Sequence, residues 1–256
     1  MNSSEEQLHL YVWDERFLYA GPGIDTTFHK NHAAVWLSTC EGELSVTRAD
    51  GLRLQGEGVF LPSGTEYATA TAAHAIAALF WEPESASYQA AMARLEEKPR
   101  TFACPLSNLE AAQRLRSPAT SLDEADDILA AMFGVSIRTR FADTPMDSRI
   151  ANAIHQLREA PEKYDSLDAL ADSVHLSPSR FAHVFTDEIG VPVRRYLLWL
   201  KMRKALDVAI AGHSLTTAAL SAGFADSAHL SRTVRSMMGI APEFLFKNRG
   251  KLVIHK

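Results

Sequence analysis

LDALADSVHLSPSRFAHVFTDEIGVP (Leu167–Pro192) and LTTAALSAGFADSAHLSRTVRSMMGIAP (Leu215–Pro242) carry the same punctuation twice. Each opens with an apolar-periodic helix, breaks at a short turn and resumes with a second helix. Each then stops at a glycine, Gly190 or Gly239, followed by a β-branched residue and a nearby proline. Phe181 and Leu230 hold equivalent positions 49 residues apart, the same separation as the two glycines. A duplicated unit of this kind predicts two helix-turn-helix motifs in tandem, a pair of probes for successive major grooves of DNA.

In such a motif the turn fixes the angle between the two helices, and apolar residues on the inner faces lock it. Here those are Leu170, Ala171, Val174, Leu176, Phe181, Val184 and Phe185, then Ala219, Ala222, Phe224, Leu230, Val234 and Met237. Gly223 suits a turn position with positive φ, and His175 holds that place in the first motif at a small cost in strain. Around the motifs the spacing predicts a helix from Asp147 to Glu159. Ser166 should cap the next, Ser177-Pro178 should open a third, and a long connecting helix should run from Pro192 to about Ala211.

Charge divides the chain. From Asp147 onward there are 15 Lys and Arg against 11 Asp and Glu, whereas residues 1–146 hold 11 against 20. That asymmetry suits a basic DNA-binding half behind an acidic one. Two isolated cysteines, Cys40 and Cys104, make neither a disulfide framework nor a zinc knuckle. With no signal-like start and no run of 18 apolar residues, the expectation is a soluble, cytoplasmic protein that does not engage a membrane.

Residues 8–82 read as β-structure: short apolar or alternating segments separated by Gly, Pro and Asp-Gly turns. Asp50-Gly51, between LSVTRA and LRLQG, predicts a hairpin with a type I′ turn. Strands at this spacing suggest a barrel or jelly roll. Residues 84–140 turn helical, with a capping box at Ser121 and Glu124. An apolar stripe follows from Leu122 through Ala125, Ile128, Leu129, Met132 and Phe133. The stripe must be buried on the barrel or against a second copy. Residues 141–147 are the expected linker, with Pro145 as the break. The expected domains are therefore 1–140, containing the barrel and helices, and 148–256, containing both motifs, in a two-domain α+β protein.

The C-terminal hundred residues resemble the DNA-binding domain of the AraC/XylS family of transcription regulators. SAGFADSAHLSRTVRSMMGIAPEFL carries the second-motif signature, and LADSVHLSPSRFAHVFTDEIGVPVRRYLLWLKMRKALDVA matches through the connecting helix. The resemblance places groove-facing positions on Ser179, Ala182 and His183, then on Ser227, Ala228, Ser231 and Arg232. Arg232 is the candidate for direct readout, since a guanidinium can bond guanine O6 and N7 together. Arg180, Arg194, Arg195, Lys201, Arg203 and His229 are candidate phosphate contacts, which position without specifying sequence.

The family often carries an N-terminal cupin-like barrel that binds a small effector, and residues 23–67 resemble cupin motifs in part. Gly23 precedes His29 by six, and Gly56, Pro62 and Gly64 fit G-x5-P-x-G. The usual metal ligands are broken: His29-Lys30-Asn31-His32 replaces His-x-His, and Tyr67 stands where a histidine is expected. No metal or other cofactor is implied, and no catalytic residue is assigned. His29, His32, Trp36, Tyr67 and His74 are candidates for an effector pocket. The expectation is a regulator of transcription rather than an enzyme, dimeric, an activator acting with RNA polymerase by resemblance, and answering to an effector in the barrel. The alternatives are a barrel serving only dimerisation or protein contacts, and a metal-dependent cupin enzyme tethered to DNA.

Overall fold

The structure, a computed structural model, describes residues 7–39, 42–71, 75–92, 100–102, 109–133, 146–164, 166–244 and 248–256. The chain forms two compact units, Met1–Asp143 together with Lys247–Lys256, and Thr144–Phe246. The second unit therefore stops short of the expected 148–256: the last ten residues belong to the first.

The N-terminal unit is β-rich. Its strands are β1 (Leu8–Val12), β2 (Arg16–Pro22), β3 (His29–Lys30), β4 (Ala34–Thr39), β5 (Leu44–Arg48), β6 (Arg53–Gly56), β7 (Gly58–Leu61), β8 (Glu66–Ala70), β9 (Ala75–Trp81) and β10 (Arg100–Phe102). The chain's last residues supply β11 (Leu252–His255). One sheet has seven strands in the order β10-β7-β4-β9-β2-β1-β11, and the other has four, β3-β8-β5-β6. All pairings are antiparallel except β1 with β11, where Leu8 opposes Leu252 and Tyr11 opposes His255. The expected barrel is thus two facing sheets.

Side-chain alternation sorts two cores onto the two faces of the large sheet. Val35, Leu37, Val59, Leu61, Ile76 and Ala78 point to the small sheet and meet Leu44, Val46 and Tyr67. Ala34, Trp36, Phe60, Leu79 and Trp81 point the other way, under helices. Strand β4 is buried at all six positions because both faces are covered. The helices are α1 (Ala86–Met92), α2 (Leu109–Leu115) and α3 (Leu122–Phe133).

Helix α3 answers the question its stripe posed. Ala125, Ile128 and Leu129 are buried in the core of their own sheet, with Leu122 packed at its margin. Asp126 accepts a 2.6 Å bond from Arg16 of β2, both side chains less than a tenth exposed. These apolar positions are occupied within the chain, so the dimerising alternative for them is corrected; the Met132 and Phe133 side chains lie outside the described residues. The capping box is half made. Ser121 Oγ accepts from the Glu124 amide at 3.2 Å, but the Glu124 carboxylate turns to Arg114.

The hairpin at Asp50-Gly51 forms with a different turn. Gly51 sits at φ 88° while Asp50 is not among the positive-φ residues, so type I′ is ruled out. The Gly51 amide donates to the Arg48 carbonyl, and the Arg48 amide to that of Leu52. That is the three-residue loop in which one left-handed glycine suffices. Expectations that fall on Cys40, His74, Cys104 and most of the linker lie outside the described residues.

Candidate nucleic-acid interface

The C-terminal unit holds α4 (Ser148–Glu159), α5 (Asp168–Ser173), α6 (Pro178–Ile189), α7 (Val193–Ile210), α8 (Leu215–Ser221) and α9 (Ser227–Met238). Helices α5 and α6 form one motif, α8 and α9 the other, and α7 joins them. The turns are built from the same backbone bonds. Leu176 donates to the Ala171 carbonyl and Phe224 to that of Ala219; His175 donates to Asp172 and Gly223 to Leu220. In both, a left-handed residue ends the first helix and lets the chain fold back over its last carbonyls. It is His175 at φ 56° in one and Gly223 at φ 77° in the other.

These turn residues are 48 apart, whereas Ser177 and Asp226, the N-caps of α6 and α9, are 49 apart. The second turn therefore carries one extra residue, Ala225. After it the pattern resumes: Ser177 accepts from the Arg180 amide, Asp226 from the His229 amide, and both helices end on left-handed Gly190 and Gly239.

Phe181, Phe185 and Ile189 are buried on α6, and Leu230, Val234 and Met237 on α9. The rings of Phe181, Phe185 and Tyr196 of α7 meet in sequence, edge-on at 5.7 Å and tilted at 5.5 Å. With the inner faces filled, the opposite faces look outward. Ser179, His183, Ala228 and Arg232 are exposed; Ala182, Ser227 and Ser231 are half-buried. Ser231 Oγ donates to the Ser227 carbonyl at 2.8 Å, which leaves it as an acceptor. His183 Nε2 lies 3.3 Å from Asp187 Oδ2 across one turn, with both side chains open to solvent.

Among the phosphate candidates Arg180 and Arg194 are exposed, while Arg195, Arg203 and His229 are half-buried, the His229 ring set edge-on to Phe224 at 5.1 Å. Lys201 is a correction. It is 6% exposed, and its Nζ donates to the Gly223 carbonyl at 3.4 Å, bracing the second turn from α7. A helix wrapped by packing along most of its length leaves a lysine no solvent face there. Arg235, exposed three residues after Arg232 on α9, was not among the expected contacts, though the i, i+3 spacing signals it.

The charge reading also changes. Between Asp147 and Phe246 Lys and Arg number 11, as do Asp and Glu; the excess comes from Lys247, Arg249, Lys251 and Lys256. Those four lie in the segment that returns to the N-terminal unit.

In the N-terminal unit the pocket candidates separate. His29 and Tyr67 pair across β3 and β8, rings 4.3 Å apart, and Asn31 Nδ2 donates to the Tyr67 hydroxyl at 3.3 Å. His29 donates from Nδ1 to the Thr27 carbonyl at 2.8 Å; burial lowers its pKa, and the same burial raises that of Tyr67. His32 instead bonds Glu84 at 2.8 Å, both side chains almost fully buried, and Ser63 donates to its carbonyl. Trp36 faces the helices against Phe60 and Trp81, so it does not line one pocket with Tyr67. Among the described residues no three of His, Cys, Asp and Glu converge as metal ligands, and no helix is long and apolar enough to cross a membrane.

Residues 170–248 match a helix-turn-helix domain family. Over 100 residues, 38% of this chain, the sequence is 27% identical to the arabinose operon regulatory protein of Salmonella typhimurium, and the match spans 36% of that protein. The fold is similar to that of ToxT from Vibrio cholerae O395, with a TM-score of 0.58 at 12% identity over 91% of this chain and 96% of that one. An apo ToxT variant from Vibrio cholerae strain SCE256 gives a TM-score of 0.60 at 12% identity over 90% and 96%. The tandem motifs and the matched segment identify the C-terminal unit as a helix-turn-helix domain similar to that of the arabinose regulator, and the β-rich unit before it completes a fold similar to that of ToxT.

Proposed function

We propose that the chain is a sequence-specific DNA-binding transcription regulator, working as a homodimer and controlled by a small-molecule effector in its N-terminal unit. The observation that carries this reading is the pair of recognition helices. Helices α6 and α9 are capped and terminated alike, and each turns one polar face to solvent. Seated in successive major grooves, they would read two blocks one helical turn, about 34 Å, apart. Ser179, Ala182 and His183 would face one block, and Ser227, Ala228, Ser231 and Arg232 the other. Arg180, Arg194, Arg195, Arg203 and His229 would hold phosphates. The family's usual role supports activation through RNA polymerase.

Effector control is supported by the buried polar group of His29, Asn31 and Tyr67 at the edge of the inter-sheet core. One ToxT structure with this fold is of the protein bound to an unsaturated fatty acid. An effector acts only by binding the active and inactive arrangements unequally.

The test is selection of bound duplexes from a random pool at two salt concentrations. Two enriched blocks about one turn apart are expected, and a tandem pair of such sites for the dimer. On the selected site Arg232→Ala should cost about 1–3 kcal/mol, roughly 5- to 150-fold in affinity, with little loss on random DNA. No enrichment at either salt concentration, or equal losses on both DNAs, would refute sequence readout.

A further inference from the structure

The last residues of the chain form a strand at the far edge of the N-terminal sheet. Leu252–His255 pairs in parallel with β1 alone, across four residues. Every residue of β11 is half-buried, yet it lies against the wholly buried His9 and Tyr11. His9 Nδ1 sits 3.1 Å from His255 Nε2, and the His255 ring stacks on Tyr11 at 4.1 Å.

The hydrogen positions follow from the partners. His255 also bonds the Thr120 backbone, whose carbonyl can only accept, so its Nδ1 carries a proton and its Nε2, when neutral, accepts. His9 Nδ1–H is then the donor. Its other nitrogen, Nε2, is buried and meets no partner among the described residues, which is tolerable only for a bare lone pair. A proton there would be a buried N–H with no acceptor.

We propose that β11 is a releasable latch, with the neutral His9–His255 pair as its catch, tying the far end of the helix-turn-helix unit to the N-terminal sheet. With the latch closed, the unit Thr144–Phe246 is joined to the N-terminal unit at both ends of its chain; open, it is joined at one. A single four-residue parallel ladder at a sheet edge is a weak attachment, and closing the chain on itself costs entropy. The strand is therefore poised to leave.

The groups around the catch all oppose its protonation or are neutral. Arg116, following α2, repels a proton, as would a charged His255. The Tyr11 hydroxyl donates to the Leu115 carbonyl, and burial raises its pKa to about 12, so it stays neutral. Strand β2 presents Ala20 opposite His9. Glu124 of α3, whose charge acts on Tyr11, is bonded to Arg114, and the exposed Lys251 and Lys256 flank the strand. Burial, then His255 and Arg116, holds His9 at about 4 instead of 6.5. Docking is thus unaffected above pH 6.5 and weakens as pH falls toward 4, by about thirtyfold between pH 7.5 and pH 5 from His9 alone.

The inference rests on the fold and not on the DNA-binding reading, and its test contains no DNA. Amide exchange is followed by mass spectrometry on the full chain at pH 7.5 and pH 5, corrected for intrinsic rates. Protection of Leu252–His255 should fall at least tenfold while β2 and β9 keep theirs. A His9→Gln, His255→Gln chain should lose that pH dependence, and His255→Gln alone should weaken it if the double variant folds poorly. Equal corrected protection at both pH values, a tail unprotected at pH 7.5, or loss of the tail only together with β2 and β9 would overturn the latch. So would an unchanged pH response in the Gln variants.

Discussion

Gly190 and Gly223 have the same backbone and different surroundings, which separates two energies that are usually mixed. Their φ values are +78° and +77°. A Cβ added at Gly190 meets nothing within 4 Å, so Gly190→Ala bears only the left-handed backbone, about 1–2 kcal/mol. A Cβ at Gly223 would lie 3.0 Å from Glu162 Cα and 3.2 Å from its carbonyl oxygen. Those are backbone atoms, and Glu162 is held by Lys204 at 2.5 Å, so nothing can swing aside cheaply. Overpacking of this kind adds about 1–3 kcal/mol, for a total near 2–5 kcal/mol in Gly223→Ala. His175 shows that the first turn accepts a Cβ at φ 56°, so the contact with Glu162 is what distinguishes the second. The assay is amide exchange of α7 and α9 in the full chain, which reports the C-terminal unit by itself. Gly223→Ala no more costly than Gly190→Ala would refute the close packing of the second turn on the Pro161–Lys163 segment.

Three further outcomes are expected. Lys201→Met should leave the salt dependence of DNA binding unchanged, because that ammonium braces the Gly223 carbonyl. Arg194→Ala should instead reduce the slope of log K against log salt by about 0.9, and a reduced slope in Lys201→Met would return Lys201 to the interface. Asp126→Ala leaves the Arg16 guanidinium buried without its carboxylate and should destabilise the N-terminal unit by about 3–5 kcal/mol. Thermal unfolding of that unit should show it, and a loss below 1 kcal/mol would mean water reaches Arg16.

What was legible in the sequence was local. Ser177, Gly190, Gly223 and Gly239 announce the helix ends because caps and left-handed backbone select residue type at a single position. The Asp50-Gly51 pair announces a hairpin, but the turn type depends on how many residues the ladder leaves unpaired, and that register is set by both strands together. Lys201 was misplaced because sequence shows a cation and not the side of the helix it occupies. The α3 stripe had two possible partners until the sheet beneath it was known. Strand β11 was illegible: four residues carry no period, and the side-chain contact of His9 with His255 spans 246 positions. The pocket candidates were chosen by residue type, and only the alternation along β3, β4 and β8 separates His29 and Tyr67 from Trp36.

The neutral balance of the C-terminal unit bears on how the proposed regulator would divide its work between the two motifs. With equal numbers of acids and bases, bulk attraction to DNA is small, and local arrangement decides. Several acids are occupied within the fold: Asp147 and Asp226 cap helices, and Glu162 pairs with Lys204. The recognition helices themselves are unequal. Helix α9 carries Arg232 and Arg235, both exposed, and no acid between Ser227 and Met238. Helix α6 carries one arginine, Arg180, and ends in Asp187 and Glu188, with Asp187 drawn to His183 on the outer face. A phosphate approaching α6 meets that carboxylate, whereas on α9 the one neighbouring carboxylate, Asp226, sits at the N-terminus and is bonded to the His229 amide. On the proposed reading the second motif would be the anchor. The first, with Ser179, Ala182 and a histidine 3.3 Å from an acid, would contribute less energy and owe its selectivity to shape and thymine-methyl contact.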